Sequence, residues 1–242
     1  MPKFFVTKNS IFDDRIEIEG EDFFHLKNAL KIKTGEKIIV CDGDCVNYEC
    51  RIGEIQGKKM IARILGRSSD ESENVNIVLF QGVPKFDKLE YIIQKTVEIG
   101  VGRIVPVFLR RSVARASGRE EKKVERFKKI AEAAAKQSMR SRIPEVEGFC
   151  GLEEALQMAG ELEFNLCAYE LEEKNKLKDY SAEIKNKGSI GVFIGPEGGF
   201  EADEIEMIKA NGIPVISLGK RILRVETAPV ALISNLIYEM EK

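Results

Sequence analysis

The sequence predicts an α/β protein in which a parallel-sheet domain follows a smaller β-rich one. Three observations lead there. From residue 75 onward apolar strand-like runs alternate with helical stretches, the order that builds a parallel sheet covered by helices. Ile77-Val78-Leu79-Phe80 is an unbroken apolar run, as expected of a strand buried on both faces. Before residue 67, short strand-like runs flank Asp42-Gly43, a strong hairpin signal.

In chain order, residues 37–41 and 46–52 form that hairpin, and a further strand runs over 59–65. One short helix, over about 21–30, interrupts them, and a small barrel fits the pattern. Residues 68–74, Ser-Ser-Asp-Glu-Ser-Glu-Asn, have neither strand nor helix periodicity and read as a linker. The division is therefore 1–70 and 75–242. After the strand at 77–80 comes a helix with Leu89, Ile92, Ile93, Thr96 and Val97 on one face, closed by Gly100 as C-cap. Next follow a strand (104–109), a long basic helix (120–138), a short strand near Val146, a helix (152–159) and a strand (164–169). Two more strands, 191–195 and 214–219, enclose a helix over 203–210. Thr227 as N-cap and Pro229 in the first turn open a last helix reaching Met240.

With 43% apolar and 32% charged residues, the composition is that of a soluble globular protein. No run is long and apolar enough to span a membrane, and the N-terminal residues lack a secretory pattern, so a cytoplasmic protein is expected. Five cysteines, one histidine and no Cys-x-x-Cys pair point to free thiols in a reducing compartment and to no metal site. The net charge of −2 conceals an asymmetry. Residues 103–142 hold thirteen Lys/Arg against four Glu, about +9, which leaves about −11 elsewhere. A basic segment of that kind attracts polyphosphate, or it is a solvated face.

The most informative stretch is the last quarter. Gly191-Val192-Phe193-Ile194-Gly195 runs into Pro196-Glu197-Gly198-Gly199-Phe200, and Pro214-Val215-Ile216-Ser217-Leu218-Gly219 runs into Lys220-Arg221-Ile222-Leu223-Arg224-Val225-Glu226-Thr227-Ala228. Buried parallel strands that end in glycine bring bare backbone to the carboxyl edge of a sheet, where ligands bind in α/β folds. Ile222, Leu223 and Val225 predict a second loop that is buried or covers a ligand. The dinucleotide and triphosphate glycine motifs and the nucleophile elbow are missing. His25, the only histidine, lies in the small domain, so Ser-His or Cys-His catalysis in the parallel-sheet domain has no base to use. Group transfer from an activated donor fits such a site.

The strings IGPEGGF and LGKRILRVETA resemble the cofactor-binding motifs of the SPOUT methyltransferase superfamily, and most of all the family that methylates N3 of a uridine in 16S ribosomal RNA. The resemblance covers nearly the whole chain. Residues 85–101 (KFDKLEYIIQKTVEIGV), Arg110-Arg111-Ser112-Val113, residues 132–144 (EAAAKQSMRSRIP), His25-Leu26 and residues 33–43 all match that family's pattern. Two positions depart from it. Lys31 stands where the family has arginine, which removes bidentate geometry but keeps a phosphate contact. Val225 stands where it commonly has threonine, which leaves Arg224 and Glu226 in place.

The resemblance implies S-adenosylmethionine as donor, a trefoil-knotted catalytic domain, a PUA-like barrel that binds RNA, a homodimer, and 16S rRNA within the small ribosomal subunit as partner. It implies an adenosyl pocket of Gly195, Pro196, Glu197, Gly198, Gly199, Leu218, Gly219, Ile222, Leu223 and Ala228. For the chemistry, Arg224 or Arg111 faces the uracil oxygens, and Glu226 orients an arginine or helps remove the N3 proton; alternatively Glu226 serves the N-terminus of the last helix. Phosphate contacts are expected from Arg110, Arg111, Arg115, Lys136, Arg140 and Arg142, aided by His25 and Lys31. Gln137 reads a base or ties the basic helix to a neighbour. Two other readings remain at this level: another RNA acceptor (a ribose 2′-hydroxyl or a tRNA base), and a ribosome-assembly factor without catalysis.

Overall fold

The structure, a computed structural model, describes residues 1–70, 75–113, 118 and 120–240. It has two compact units: Met1–Glu73 with Ala135–Ile143, and Asn74–Ala134 with Pro144–Lys242.

The first unit is built on a mixed five-stranded sheet. Its strands are β1 (Lys3–Phe5), β2 (Arg15–Ile18), β3 (Lys37–Cys41), β4 (Val46–Gln56) and β5 (Lys59–Ser69), in the order β1-β3-β4-β5-β2. The β3–β4 hairpin turns where the sequence places it. Asp42 Oδ1 accepts the amides of Asp44 (2.8 Å) and Val46 (3.2 Å), the local side-chain bonding that makes Asp a turn residue. The end strands supply Phe4, Ile16 and Ile18 to one core with Ile38, Val40, Ile52 and Met60, so the sheet curls around its apolar face; among the described residues no ladder joins β1 to β2.

Two expectations need correction in this unit. β5 continues through Ser68 and Ser69, which pair with Asn47 and Val46, so the linker cannot begin at residue 68. The ladder uses backbone groups, and small polar side chains on an exposed edge do not stop it. The expected helix is α1 (Gly20–Phe24) running into a single π-helical stretch, His25–Ala29.

Residues 135–143 are held to this unit by a polar cluster around Ser141. Its hydroxyl accepts from Lys3 Nζ (2.8 Å) and Asn47 Nδ2 (2.7 Å) and donates to Asp70 Oδ2 (2.5 Å). Its carbonyl accepts the Cys41 thiol (2.9 Å) and the Cys45 amide (3.0 Å).

The second unit carries a parallel sheet. Its strands are β6 (Asn76–Gly82), β7 (Arg103–Phe108), β8 (Glu145–Val146), β9 (Cys150–Gly151), β10 (Phe164–Ala168), β11 (Ser189–Ile194) and β12 (Val215–Ile216). They lie in the order β12-β10-β11-β6-β7-β8, with β9 also on β7. β6 is buried from Ile77 to Gly82, and Phe80 stacks on its register partner Phe193 of β11 with centroids 4.4 Å apart. The helices are α2 (Phe86–Ile99), α3 (Glu120–Gln137), α4 (Leu152–Ala159), α5 (Ser181–Ile184), α6 (Ala202–Ala210) and α7 (Ala228–Met240). α2 buries Leu89, Ile92, Ile93, Thr96 and Val97, the face its 3.6-residue spacing marks. Gly100 ends it at φ +132°. Among the described residues no helix is long and apolar enough to cross a membrane.

Candidate functional site

β12, β10 and β11 are parallel neighbours, so their carboxyl ends emerge along one edge, the side on which open α/β sheets bind ligands. The residues that follow them, Tyr169-Glu170, Gly195–Gly199 and Ser217–Val225, enclose a cavity of about 490 Å³ together with Lys88 of α2 and Ala228 of α7.

Bare backbone is a packing requirement at this edge. Gly82 ends β6, and a Cβ there would lie 2.7 Å from the backbone nitrogen of Pro196. Gly199 has φ +71°, and a Cβ there would collide with Glu170 Oε1. The first glycine lets the strand end touch the loop, and the second lets the loop turn back beside a carboxylate.

Arg111, in the loop after β7, braces this turn. Its Nε and Nη2 donate to Glu201 Oε1 (2.8 Å) and Oε2 (3.0 Å), and Nη1 donates to the Gly198 carbonyl (2.9 Å). The hydrogen bond with Glu201 raises the Arg111 pKa, and the same bond holds the Glu201 carboxyl below the usual range. Glu201 also opens α6 in a capping box with Glu204. Buried Glu204 accepts the Glu201 amide on Oε2 (2.8 Å) and the Arg110 amide on Oε1 (2.9 Å), so one carboxylate joins two loops at the sheet edge.

On the other side, Glu197 Oε1 accepts the Lys85 amide (3.2 Å) and lies 3.3 Å from Lys88 Nζ. The same ammonium is 3.5 Å from Glu226 Oε2. A second cavity of about 530 Å³ adjoins here along α2 and the start of α7, with Lys88, Tyr91 and Glu226 in its lining.

Of the residues singled out in sequence, Gly195, Pro196, Glu197, Gly198, Gly199, Leu218, Gly219, Ile222, Leu223 and Ala228 all line the first cavity, and Arg224 joins them. Glu226 lines only the second. Arg111 lines neither: its guanidinium is turned onto Gly198 and Glu201 rather than toward an acceptor. Of the two alternatives expected for the second loop, burial holds at Val225 but not at Ile222, which is 84% exposed and lines the cavity. The chain folds back where Thr227 and Ala228 donate to the Arg224 carbonyl, which draws Val225 inward at the entry to α7 and leaves Ile222 at the cavity rim.

The basic residues separate as well. Arg110 pairs with Asp203, and Lys136 with Asp22 at 3.0 Å. Arg140 is buried, and Arg142 forms a backbone bridge with Asp44. His25, Lys31 and Gln137 are exposed, and Arg115 lies outside the described residues. Tyr169, Glu170 and Lys88 are site residues that the sequence reading missed. β10 carries no glycine to flag its end, and only the strand order β12-β10-β11 brings residues 169 and 170 to the cavity.

Fold and site together define a two-unit protein whose parallel α/β part offers a glycine-loop ligand cavity at its carboxyl edge. Residues 71–237 match the family described as RNA methyltransferase domain, and residues 18–65 match the RNA methyltransferase PUA domain. The chain is similar to ribosomal RNA small subunit methyltransferase E of Bacillus subtilis, with 32% identity covering 100% of this chain and 98% of that protein. Its counterpart in Mesomycoplasma hyopneumoniae is 32% identical over 90% of this chain and 95% of its own length. The crystal structure of ribosomal RNA small subunit methyltransferase E from Neisseria gonorrhoeae bound to S-adenosyl methionine matches with a TM-score of 0.85 and 30% identity, over 98% and 96% of the two chains. The chain belongs to the RNA methyltransferase family.

Proposed function

We propose that this protein transfers a methyl group from S-adenosylmethionine to N3 of a uridine in 16S rRNA of the small ribosomal subunit. The observation that carries this reading is the glycine-loop cavity, in a chain similar along its whole length to an enzyme crystallised with S-adenosyl methionine. The cavity fits the donor chemically. Backbone groups of 195–199 and 217–219 offer donors and acceptors for an adenine edge and ribose, and Leu218, Leu223 and Ala228 offer apolar contact for the ring. The close approach at Gly82 and Gly199 keeps that backbone bare.

When bound, the donor supplies an electrophilic methyl: a bond from N3 to that carbon forms as the carbon–sulfur bond breaks, its electron pair staying on sulfur. The protein's part is alignment and a preorganised field. Arg224 at the cavity rim faces the uracil oxygens and offsets the charge left when the N3 proton departs. Glu226 receives that proton or orients an arginine. Arg111, through Gly198 and Glu201, keeps the glycine loop in position.

In this reading residues 1–70 are a PUA-like barrel that holds RNA, and residues 75–242 are a trefoil-knotted methyltransferase domain that works as a homodimer in the cytoplasm. His25, Lys31, Arg110, Arg115, Lys136, Gln137, Arg140 and Arg142 contribute contacts to RNA. The test is mass mapping of methylated nucleosides in 16S rRNA from cells with and without the protein, with calorimetry of the purified protein against S-adenosylmethionine. A 3-methyluridine lost with the gene, together with donor binding, is expected. Donor binding with a different methylated position would move the acceptor, and no donor binding would favour an assembly factor.

A further inference from the structure

We infer that Glu170 is the carboxylate that holds the donor's ribose, accepting hydrogen bonds from its vicinal 2′- and 3′-hydroxyls. The inference rests on the S-adenosylmethionine reading above and adds which side chain orients the nucleoside in the cavity.

Strand order places this side chain. β10 lies between β12 and β11 and runs parallel to both, so Tyr169 and Glu170 leave the sheet between the two glycine-bearing loops. Those loops and Glu170 line one cavity. The carboxylate is set against the first loop itself. The side of Gly199 that a Cβ would occupy faces Glu170, with Oε2 3.2 Å from that point and Oε1 closer still. A carboxylate one strand over from a glycine loop, at the carboxyl edge of a parallel sheet, is how dinucleotide-binding folds take a ribose hydroxyl. The relation here is one of geometry, since the chain has no Gly-x-Gly-x-x-Gly motif.

Glu170 is also available. It shares the cavity lining with one other carboxylate, Glu197, which already accepts the Lys85 amide and lies 3.3 Å from Lys88 Nζ. Glu170 is exposed and has no hydrogen-bond or ion-pair partner among the described residues.

Charge decides which part of the donor it meets. S-adenosylmethionine offers a carboxylate its sulfonium, its α-ammonium and its hydroxyl pair. Against the sulfonium, Glu170 would stabilise a positive charge that transfer removes, favouring the ground state and slowing the reaction. The amino-acid arm carries a carboxylate of its own, which is drawn to the exposed cations Lys220 and Arg221 of the other loop. That takes the neighbouring ammonium away from Glu170. The hydroxyl pair remains: two vicinal O–H donors match the two oxygens of one carboxylate, and a charged acceptor makes such bonds stronger than neutral ones. They form equally with the donor and with its demethylated product, so they add affinity and leave the transfer step unchanged.

The test is calorimetry of the full-length protein with three compounds. These are S-adenosylmethionine, 5′-methylthioadenosine (which keeps the ribose but lacks the amino-acid arm and the charge) and 2′-deoxy-5′-methylthioadenosine. Glu170→Ala should weaken the first two by the same factor, about tenfold, the lower end for charge-assisted bonds as suits an exposed group. Glu170→Gln keeps one uncharged acceptor oxygen and should lose about threefold. Removing the 2′-hydroxyl should cost the wild type about fivefold and Glu170→Ala less than about twofold, because the two changes remove the same bond. With 16S rRNA, Glu170→Ala should raise the KM for S-adenosylmethionine about tenfold at unchanged kcat. Its melting temperature without ligand should match the wild type, which reports an intact fold.

Undiminished affinity of Glu170→Ala for methylthioadenosine overturns the assignment, and a loss confined to S-adenosylmethionine places the carboxylate at the amino-acid end instead. An equal cost of the 2′-deoxy change in both proteins overturns it as well. These outcomes leave the methyltransferase reading intact, whereas a wild type that binds neither S-adenosylmethionine nor methylthioadenosine sinks that reading, and the ribose site with it.

Discussion

Arg111 grips Glu201 with two parallel hydrogen bonds, Nε to Oε1 at 2.8 Å and Nη2 to Oε2 at 3.0 Å, while its third nitrogen holds the Gly198 carbonyl. One side chain thus fixes the glycine loop relative to the start of α6. Both partners are well exposed, so solvent screens much of the attraction and the pair acts mainly by geometry. Arg111→Lys loses the fork and should weaken S-adenosylmethionine binding about two- to fivefold, the size expected of an exposed pair. Titration calorimetry reads this directly. An Arg111→Lys protein with wild-type donor affinity would show that the loop stands without its brace.

Two glycines at the cavity respond differently to an added methyl group. At Gly82 the new Cβ meets the Pro196 backbone nitrogen at 2.7 Å, and backbone has nowhere to go. At Gly199 it meets the end of the Glu170 side chain, which can swing aside, leaving the cost of a left-handed conformation, about 1–2 kcal/mol. Gly82→Ala should therefore lower the melting temperature more than Gly199→Ala, and both should lose much of the rise in melting temperature that a bound donor confers. Thermal unfolding with and without S-adenosylmethionine checks the order; equal Tm values for the two variants would argue against the close contact at Gly82.

The sheet edge was legible because its signals are local. A glycine-ended apolar run marks a buried strand and a bare turn at once, and the alternation from residue 75 orders the elements around it. Contacts that join distant segments left no such trace. In sequence Lys88 reads as an ordinary surface lysine of an amphipathic helix, and only the fold places it beside Glu197 and Glu226. Arg111 read as a candidate for the acceptor because arginines beside ligand loops often are; the carboxylate it meets lies ninety residues away. Ile222 misled for the opposite reason. Apolar character predicts burial on average, yet the loop turns Ile222 to a cavity rim where little of the protein covers it.

Glu204 carries a structural role that activity measurements alone would confuse with catalysis. Its side chain is 4% exposed and accepts the amides of Arg110 and Glu201 on separate oxygens. Glu204→Ala strands both donors near the sheet edge and should cost about 2–4 kcal/mol, the range for two unsatisfied buried groups. Glu204→Gln keeps one acceptor oxygen and should cost roughly half as much. Urea unfolding measures both, and a loss under about 0.5 kcal/mol for the alanine variant, the level of a surface change, would show that the loops do not depend on this carboxylate.

Four buried thiols give the protein a stability that falls in alkali. Burial pushes Cys41 and Cys150 up to about 11 and Cys50 to about 12, and it raises Cys167 as well. In the unfolded chain these thiols ionise near about 8.5, so above that pH the unfolded state has released protons that the native state still holds. Stability then decreases with rising pH, beginning near the unfolded value and continuing until the folded pKa values are reached at about 11 to 12. Each thiol should remove about 2 kcal/mol between pH 8 and pH 10. Other groups titrate over the same interval, so the informative quantity is the difference between proteins. Urea unfolding of the wild type and of Cys50→Ala at both pH values separates them. The cavity left by the substitution lowers stability at both pH values and cancels when each protein is compared with itself. Wild type should lose about 2 kcal/mol more than the variant over that interval; identical losses would mean that the Cys50 thiol ionises as readily in the folded core as in the unfolded chain.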